Sequence, residues 1–97
     1  MDIYVSEAIA RNLKERHCVS ENEVIECFEN LKTKFACDTR QENQTDPPTL
    51  WFIGETNTGR RLKIVFLRYS KTEIVLKSAY EPNADEERLY QMYEDRG

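Results

Sequence analysis

The sequence predicts an α+β domain with two N-terminal helices, a three- to four-stranded antiparallel sheet and a C-terminal helix. Three observations predict it. "SENEVIECF" places a helix-start box ahead of apolar residues at helical spacing, "TLWFIGET" and "RRLKIVFLRY" are strand-like runs separated by the turn "NTG", and "NADEERLYQMYEDR" returns to helical spacing after the last strand. Helices that precede and follow the strands, instead of alternating with them, belong to the α+β class.

Ser6 is an N-cap for "SEAIARNLKERH", in which Ile9, Ala10 and Leu13 share a face and Lys14, Glu15 and Arg16 lie on or near the other. Ser20 and Glu23 form a capping box for a second helix that carries Val24, Ile25, Phe28 and Leu31, with Glu21, Glu26 and Glu29 outside. The linker "HCVS" is short enough to make the pair a hairpin or corner. A short strand at "KFACD" is followed by "TRQENQTDPPT", whose polarity and paired prolines predict a surface loop. "TLWFIGET" has apolar residues on both faces; Asn57 and Thr58 suit the next turn and Gly59 its left-handed position. "SKT" turns the chain into "EIVLKSAY", and Asn83 caps the last helix with Glu86 at its N3 position and Leu89, Met92 and Tyr93 as an apolar stripe read as core.

The 97 residues suffice for one domain, 1–97, with a modest core, and 39% hydrophobic with 33% charged residues is the composition of soluble globular chains. No apolar run approaches a membrane span, and the acidic "MDIYVSEAIA" lacks the layout of a signal peptide, so the expectation is a cytoplasmic protein with no membrane partner. Cys18, Cys27 and Cys37 are odd in number and match no Cys-x-x-Cys pair, and His17 is the single histidine, so buried or half-buried thiols are expected and neither a metal nor another cofactor.

Charge is the anomaly. Residues 57–77 hold six of the fourteen basic residues and one acid, a net +5 inside a chain of net −4. Alternation along the strand puts Leu62, Ile64 and Phe66 on one face with Arg68, and Arg61, Lys63, Val65, Leu67 and Tyr69 on the other; whether Lys77 joins Lys63 depends on register. Two arrangements are open. The bases face an open concavity and form an anion site, or the C-terminal helix covers them and its carboxylates neutralise them.

The pieces "LKERHCVSENEVIECF", "FIGETNTGRRLKIVFLRY" and "IVLKSAYEPNADEERLY", spanning about residues 11 to 93, resemble the BrnT-like family in order and spacing. Cys18 stands where that family usually has Gly, and Ser78, Ala79 and Tyr80 stand where it has Ser-Ala-Arg. The resemblance implies a RelE/ParE-like fold and a toxin of a bacterial type II toxin–antitoxin pair: a metal-independent endoribonuclease with RNA as substrate and a cognate antitoxin as partner. "DPPTLWFI" and "KSAYEPN" are similar to a branch sometimes labelled ADP-ribosyl-(dinitrogen reductase) hydrolase, yet the chain offers no carboxylate cluster suited to the paired magnesium ions of that chemistry.

Metal-independent RNA cleavage needs a base for the 2′-hydroxyl, cations for the phosphate and an acid for the leaving oxygen. Arg61, Lys63 and Arg68 are the candidate cations; His17, Tyr80 and Glu81 are the candidate proton-transfer groups; Arg60, Lys77 and Tyr69 are candidate RNA contacts, with Trp51 and Tyr80 as further stacking surfaces. Each residue also has an ordinary role. Arg60 and Arg61 suit a protected sheet edge, His17 a helix C-terminus, and Trp51 the core. A non-catalytic protein of the same fold that binds a protein partner or nucleic acid is therefore the alternative reading.

Overall fold

The computed structural model describes residues 2–31, 36–37 and 47–96, with side chains described for these residues except 36–37 and 93–96. Its elements are β1 (Asp2–Tyr4), α1 (Glu7–Asn12) continued by a π-helical turn (Leu13–His17), α2 (Glu21–Glu29), β2 (Ala36–Cys37), β3 (Thr49–Glu55), β4 (Arg61–Arg68), β5 (Glu73–Tyr80) and α3 (Ala84–Arg96). The class is α+β.

The described strands form one sheet in the order β1-β5-β4-β3-β2. β2 to β5 are antiparallel neighbours, as expected, but β1 adds a parallel edge strand, with Ile3 opposite Ile74. The sheet is thus mixed and five-stranded, not a three- or four-stranded antiparallel one. β1 is three residues long with no turn signal around it, and only the distant edge of β5 makes it a strand. The polar loop expected after β2 falls mainly outside the described residues.

Local signals act as read. The Ser6 hydroxyl accepts the Ile9 N–H at 3.2 Å. Ser20 accepts from Glu23 N at 3.2 Å while Glu23 accepts from Ser20 N at 3.1 Å, which completes the capping box. Between the helices the π-helical turn closes on the Leu13 carbonyl, and Cys18 adopts φ 53°, the left-handed conformation that ends many helices and favours glycine. At the β3–β4 hairpin Gly59 has φ 86° and donates to the Thr56 carbonyl at 2.9 Å.

The two sheet faces are covered differently. On one, Phe52, Leu62, Ile64, Phe66, Leu76 and Ala79 are buried against Leu13, Val19, Val24 and Cys27 from the N-terminal helical layer. Phe28 packs edge-on against Phe52 and Phe66, with ring centroids 4.9 and 5.3 Å away. Gly54 permits this approach: a Cβ there would lie 3.1 Å from the Cys27 carbonyl oxygen and 2.8 Å from the Phe52 ring. Burial pushes the Cys27 thiol up to about 12, helped by nearby Glu23 and Glu26, so this cysteine stays an inert core residue. Cys18, expected to be at least half-buried, is exposed at its helix end.

The other face meets α3, and here one expectation is overturned. Leu89 and Met92, read as core, are 47% and 50% exposed, while Tyr90 is buried with its ring 5.5 Å from that of Trp51. The Tyr93 side chain lies outside the described set. Among the described residues Glu86, Glu87 and Tyr90 form the sheet-facing side of α3, the glutamates opposite Lys63 and Arg61 and the tyrosine opposite Trp51. Among the described residues no helix is long and apolar enough to cross a membrane.

Candidate functional site

One end of the sheet collects the bases of the β3–β4 hairpin, and they divide between its two sides. Arg60 ends the turn and points towards the N-terminal helices. Its guanidinium donates to the carbonyls of Cys18 and His17 at 2.8 and 3.0 Å and to both Glu23 carboxylate oxygens at 3.1 and 3.2 Å, with Glu81 at 3.6 Å. The carbonyls belong to the end of a helix, which accepts a cation favourably. Burial works against the Glu23 charge, but the Ser20 N–H and the Arg60 guanidinium outweigh it and hold the carboxyl below its ordinary range. Arg60 thereby joins the first helix, the capping box of α2 and the hairpin.

Arg61 and Lys63 point to the α3 side. Arg61 donates Nε and Nη2 to the two oxygens of Glu87, each at 2.8 Å, and Nη1 to Glu55 at 2.9 Å. The bidentate geometry with Glu87 raises the affinity of Arg61 for its proton, against the opposing effect of burial. Lys63 Nζ lies 2.8 Å from Glu86 Oε2 and 4.7 Å above the Trp51 ring. Tyr80 stands opposite Lys63 in the register and donates its hydroxyl to the same Glu86 oxygen at 2.8 Å. Glu86 Oε1 accepts from Asn83 N at 3.0 Å and Asn83 Oδ1 from Glu86 N at 2.8 Å, the box that starts α3. Burial disfavours the Glu86 charge, yet Lys63, the Asn83 N–H and Tyr80 together keep its pKa lowered. The Tyr80 phenol is shifted up, by burial first and then by its bond to Glu86, with Lys63 opposing. At neutral pH it holds its proton and donates.

Six predicted site residues lie at this end of the sheet, on its two sides. Arg60 contacts the His17 carbonyl and Glu81, and the His17 ring centroid is 5.6 Å from that of Tyr80. Tyr80 and Lys63 share Glu86, while Arg61 stands apart from these contacts, bound to Glu87 and Glu55. The other three do not join them. Arg68 ends β4 on the opposite face, and seven residues of strand put it roughly 23 Å from Arg61. Tyr69 is exposed beyond the same end. Lys77 is skipped where the register shifts between Val65 and Phe66, so it does not share a row with Lys63. Trp51 is 5% exposed, below Lys63 and beside Tyr90, and offers no stacking surface in this state.

Of the two arrangements open from the sequence, the structure has the second at this end: carboxylates of the C-terminal helix, Glu86 and Glu87, neutralise Lys63 and Arg61. Sequence spacing assigns Glu23 and Glu86 individually only to caps, and it does not single out Glu55 as a partner. The available signal was the excess of positive charge on the hairpin, which requires acids elsewhere in the fold. Among the described residues no group of three His, Cys, Asp or Glu side chains is placed to hold a metal ion. A cleft of about 570 Å³ opens beside the site, lined by Arg61, Ala84, Glu87, Arg88, Tyr90 and Gln91. No protein-family model matches the chain, and no curated protein matches it in sequence.

Proposed function

We propose that the protein is a BrnT-like toxin of a type II toxin–antitoxin pair, a metal-independent cytoplasmic endoribonuclease that cleaves RNA by attack of the 2′-hydroxyl. The observation that supports this most is the contact of His17 with Tyr80, which shares Glu86 with Lys63, at the end of the sheet that also carries Glu81, Arg60 and Arg61. In this reading His17 or Glu81 takes the 2′-hydroxyl proton, Lys63 and Arg61 balance the charge that develops on the phosphate, and Tyr80 donates a hydrogen bond to a phosphate oxygen or to the leaving 5′-oxygen. Arg60 serves the site indirectly, by fixing the helix end that carries His17.

A second reading has its own observation. Arg60, Arg61 and Lys63 are each engaged by carboxylates, the arrangement expected of a non-catalytic protein of this fold that binds a protein partner or nucleic acid. Induced expression of the wild type and of a His17→Ala/Lys63→Ala/Tyr80→Phe variant, with total RNA analysed in the presence of EDTA, separates the two. The first reading expects growth arrest and chelator-resistant cleavage from the wild type, both lost in a variant whose circular dichroism is unchanged. A soluble wild type that neither arrests growth nor cleaves RNA moves the weight to the binding role.

A further inference from the structure

The way α3 meets the sheet is unusual for a docked helix. Among the described residues its sheet-facing side chains are two glutamates and one tyrosine, while Leu89 and Met92 are turned to solvent. Glu87 grips Arg61 with both oxygens, and Glu86 is shared by Lys63 and Tyr80. Capping requires only that residue 86 accept from the Asn83 N–H, which a glutamine does equally well. The negative charge is not needed for the helix start, so its function lies across the interface. Two carboxylates bound by Arg, Lys and a phenolic hydroxyl present the anionic oxygens that neighbouring phosphodiesters of a nucleic-acid strand would present.

The remaining geometry suits release. α3 follows β5 after the three residues Glu81, Pro82 and Asn83, a link that lies outside the sheet's ladder and would keep a released helix beside the site. The 570 Å³ cleft between Arg61 and the first turns of α3 leaves the pair accessible from one side. Arg61 is 42% and Glu87 34% exposed, the condition in which an ion pair exchanges partners and weakens with salt.

We infer that α3 is a displaceable cover over an RNA site, its Glu86 and Glu87 occupying at Lys63 and Arg61 the places that RNA phosphates take when the helix swings away. The inference rests on the proposed action on RNA and adds its regulation: the free protein is closed, and a polyanion opens it by exchange of carboxylates for phosphates. The surrounding negative charge of the chain then discourages any anion that cannot engage both bases at once.

The test uses the full chain and a fluorescein-labelled single-stranded RNA of about twelve nucleotides, a length typical of one single-strand site. Anisotropy titrations at low salt compare the wild type, Glu86→Gln/Glu87→Gln and the control Glu21→Gln/Glu29→Gln, which has the same net charge but changes exposed residues of α2. Emission of Trp51, the single tryptophan, reports on docking because Tyr90 and Lys63 lie against it. Glu86→Gln/Glu87→Gln is expected to bind about tenfold more tightly than the wild type, with the control unchanged and Trp51 emission moving to the red as RNA binds. Tyr90→Ala, which loosens α3 without altering charge, is expected to tighten binding in the same direction and serves if the double variant does not fold. A gain by the control equal to that of the double variant overturns the inference, because net charge alone then explains it. Tight binding by the wild type with Trp51 emission unmoved also overturns the cover and leaves the RNA reading standing. A double variant with red-shifted Trp51 emission and no RNA binding has the opposite meaning: the helix is releasable, and the RNA reading fails.

Discussion

The two faces of the sheet hold their helices by different forces. On the α1–α2 face, apolar side chains interlock so closely that Gly54 has no room for a methyl group, and Arg60 adds bonds to the backbone carbonyls of His17 and Cys18. On the α3 face, among the described residues, Tyr90 packs against Trp51 and is joined by side-chain ion pairs. Burial of apolar surface involves no charge to titrate or screen, whereas partly exposed ion-paired carboxylates respond to pH and to ionic strength. The first layer is scaffold. The second is where the molecule can change.

Phe52→Ala should expose this contrast most. It removes a ring that packs against Phe28 and Phe66 and is expected to lower stability by about 3–5 kcal/mol. Urea unfolding followed by both circular dichroism and Trp51 emission is expected to show one shifted transition; a loss under about 1 kcal/mol would mean that the α1–α2 face is not the principal core.

Arg60→Ala comes next. Loss of the bonds to His17 O, Cys18 O and Glu23 is expected to cost about 1.5–3 kcal/mol, the usual range for hydrogen bonds to charged groups. Lys63→Met, which keeps the stem over Trp51, removes one hydrogen bond and leaves Glu86 with the Tyr80 hydroxyl and the Asn83 N–H, so it is expected to cost about 0.5–1.5 kcal/mol, less than the loss of the four Arg60 bonds. Equal urea midpoints for the two variants would erase the distinction between the hairpin's two sides.

Acid should produce the smallest effect and sharpen the comparison. Glu23 and Glu86 both have folded pKa values below those of the unfolded chain. The unfolded state therefore binds more protons in that window, so their contribution is fully present above about pH 4.3 and is lost as pH falls through the folded values. In Glu86→Gln the share from α3 disappears and that of Glu23 remains. Its melting temperature is expected to depend less steeply on pH below about 4.3 than the wild type's; superimposable profiles would show that the Glu86 charge contributes nothing to holding α3.

Several site features were legible in the sequence because they are local. The Ser6 cap, the two capping boxes and the Asn57–Gly59 turn each satisfy backbone groups within four residues, so spacing alone reveals them. The separation of Arg68 from Arg61 and Lys63 was also readable, since alternation sets its face and strand length its distance. Arg60 was not: its neighbours in sequence suggest a surface base, and its partners lie 37 and 42 residues away at Glu23 and Cys18.

The sequence by itself determined the helix starts, the strand hairpin, the apolar face of β4 and the concentration of positive charge at one end of the sheet. Tertiary structure alone decided that β1 completes the sheet as a parallel edge, that Tyr90 and not Leu89 or Met92 is the buried anchor of α3, and that Glu86 and Glu87 meet Lys63 and Arg61. The reason is the range of the forces. Capping and alternation act between neighbours in the chain, but the face a helix presents to a sheet depends on what the sheet presents in return, here Arg61 and Lys63 beside Trp51.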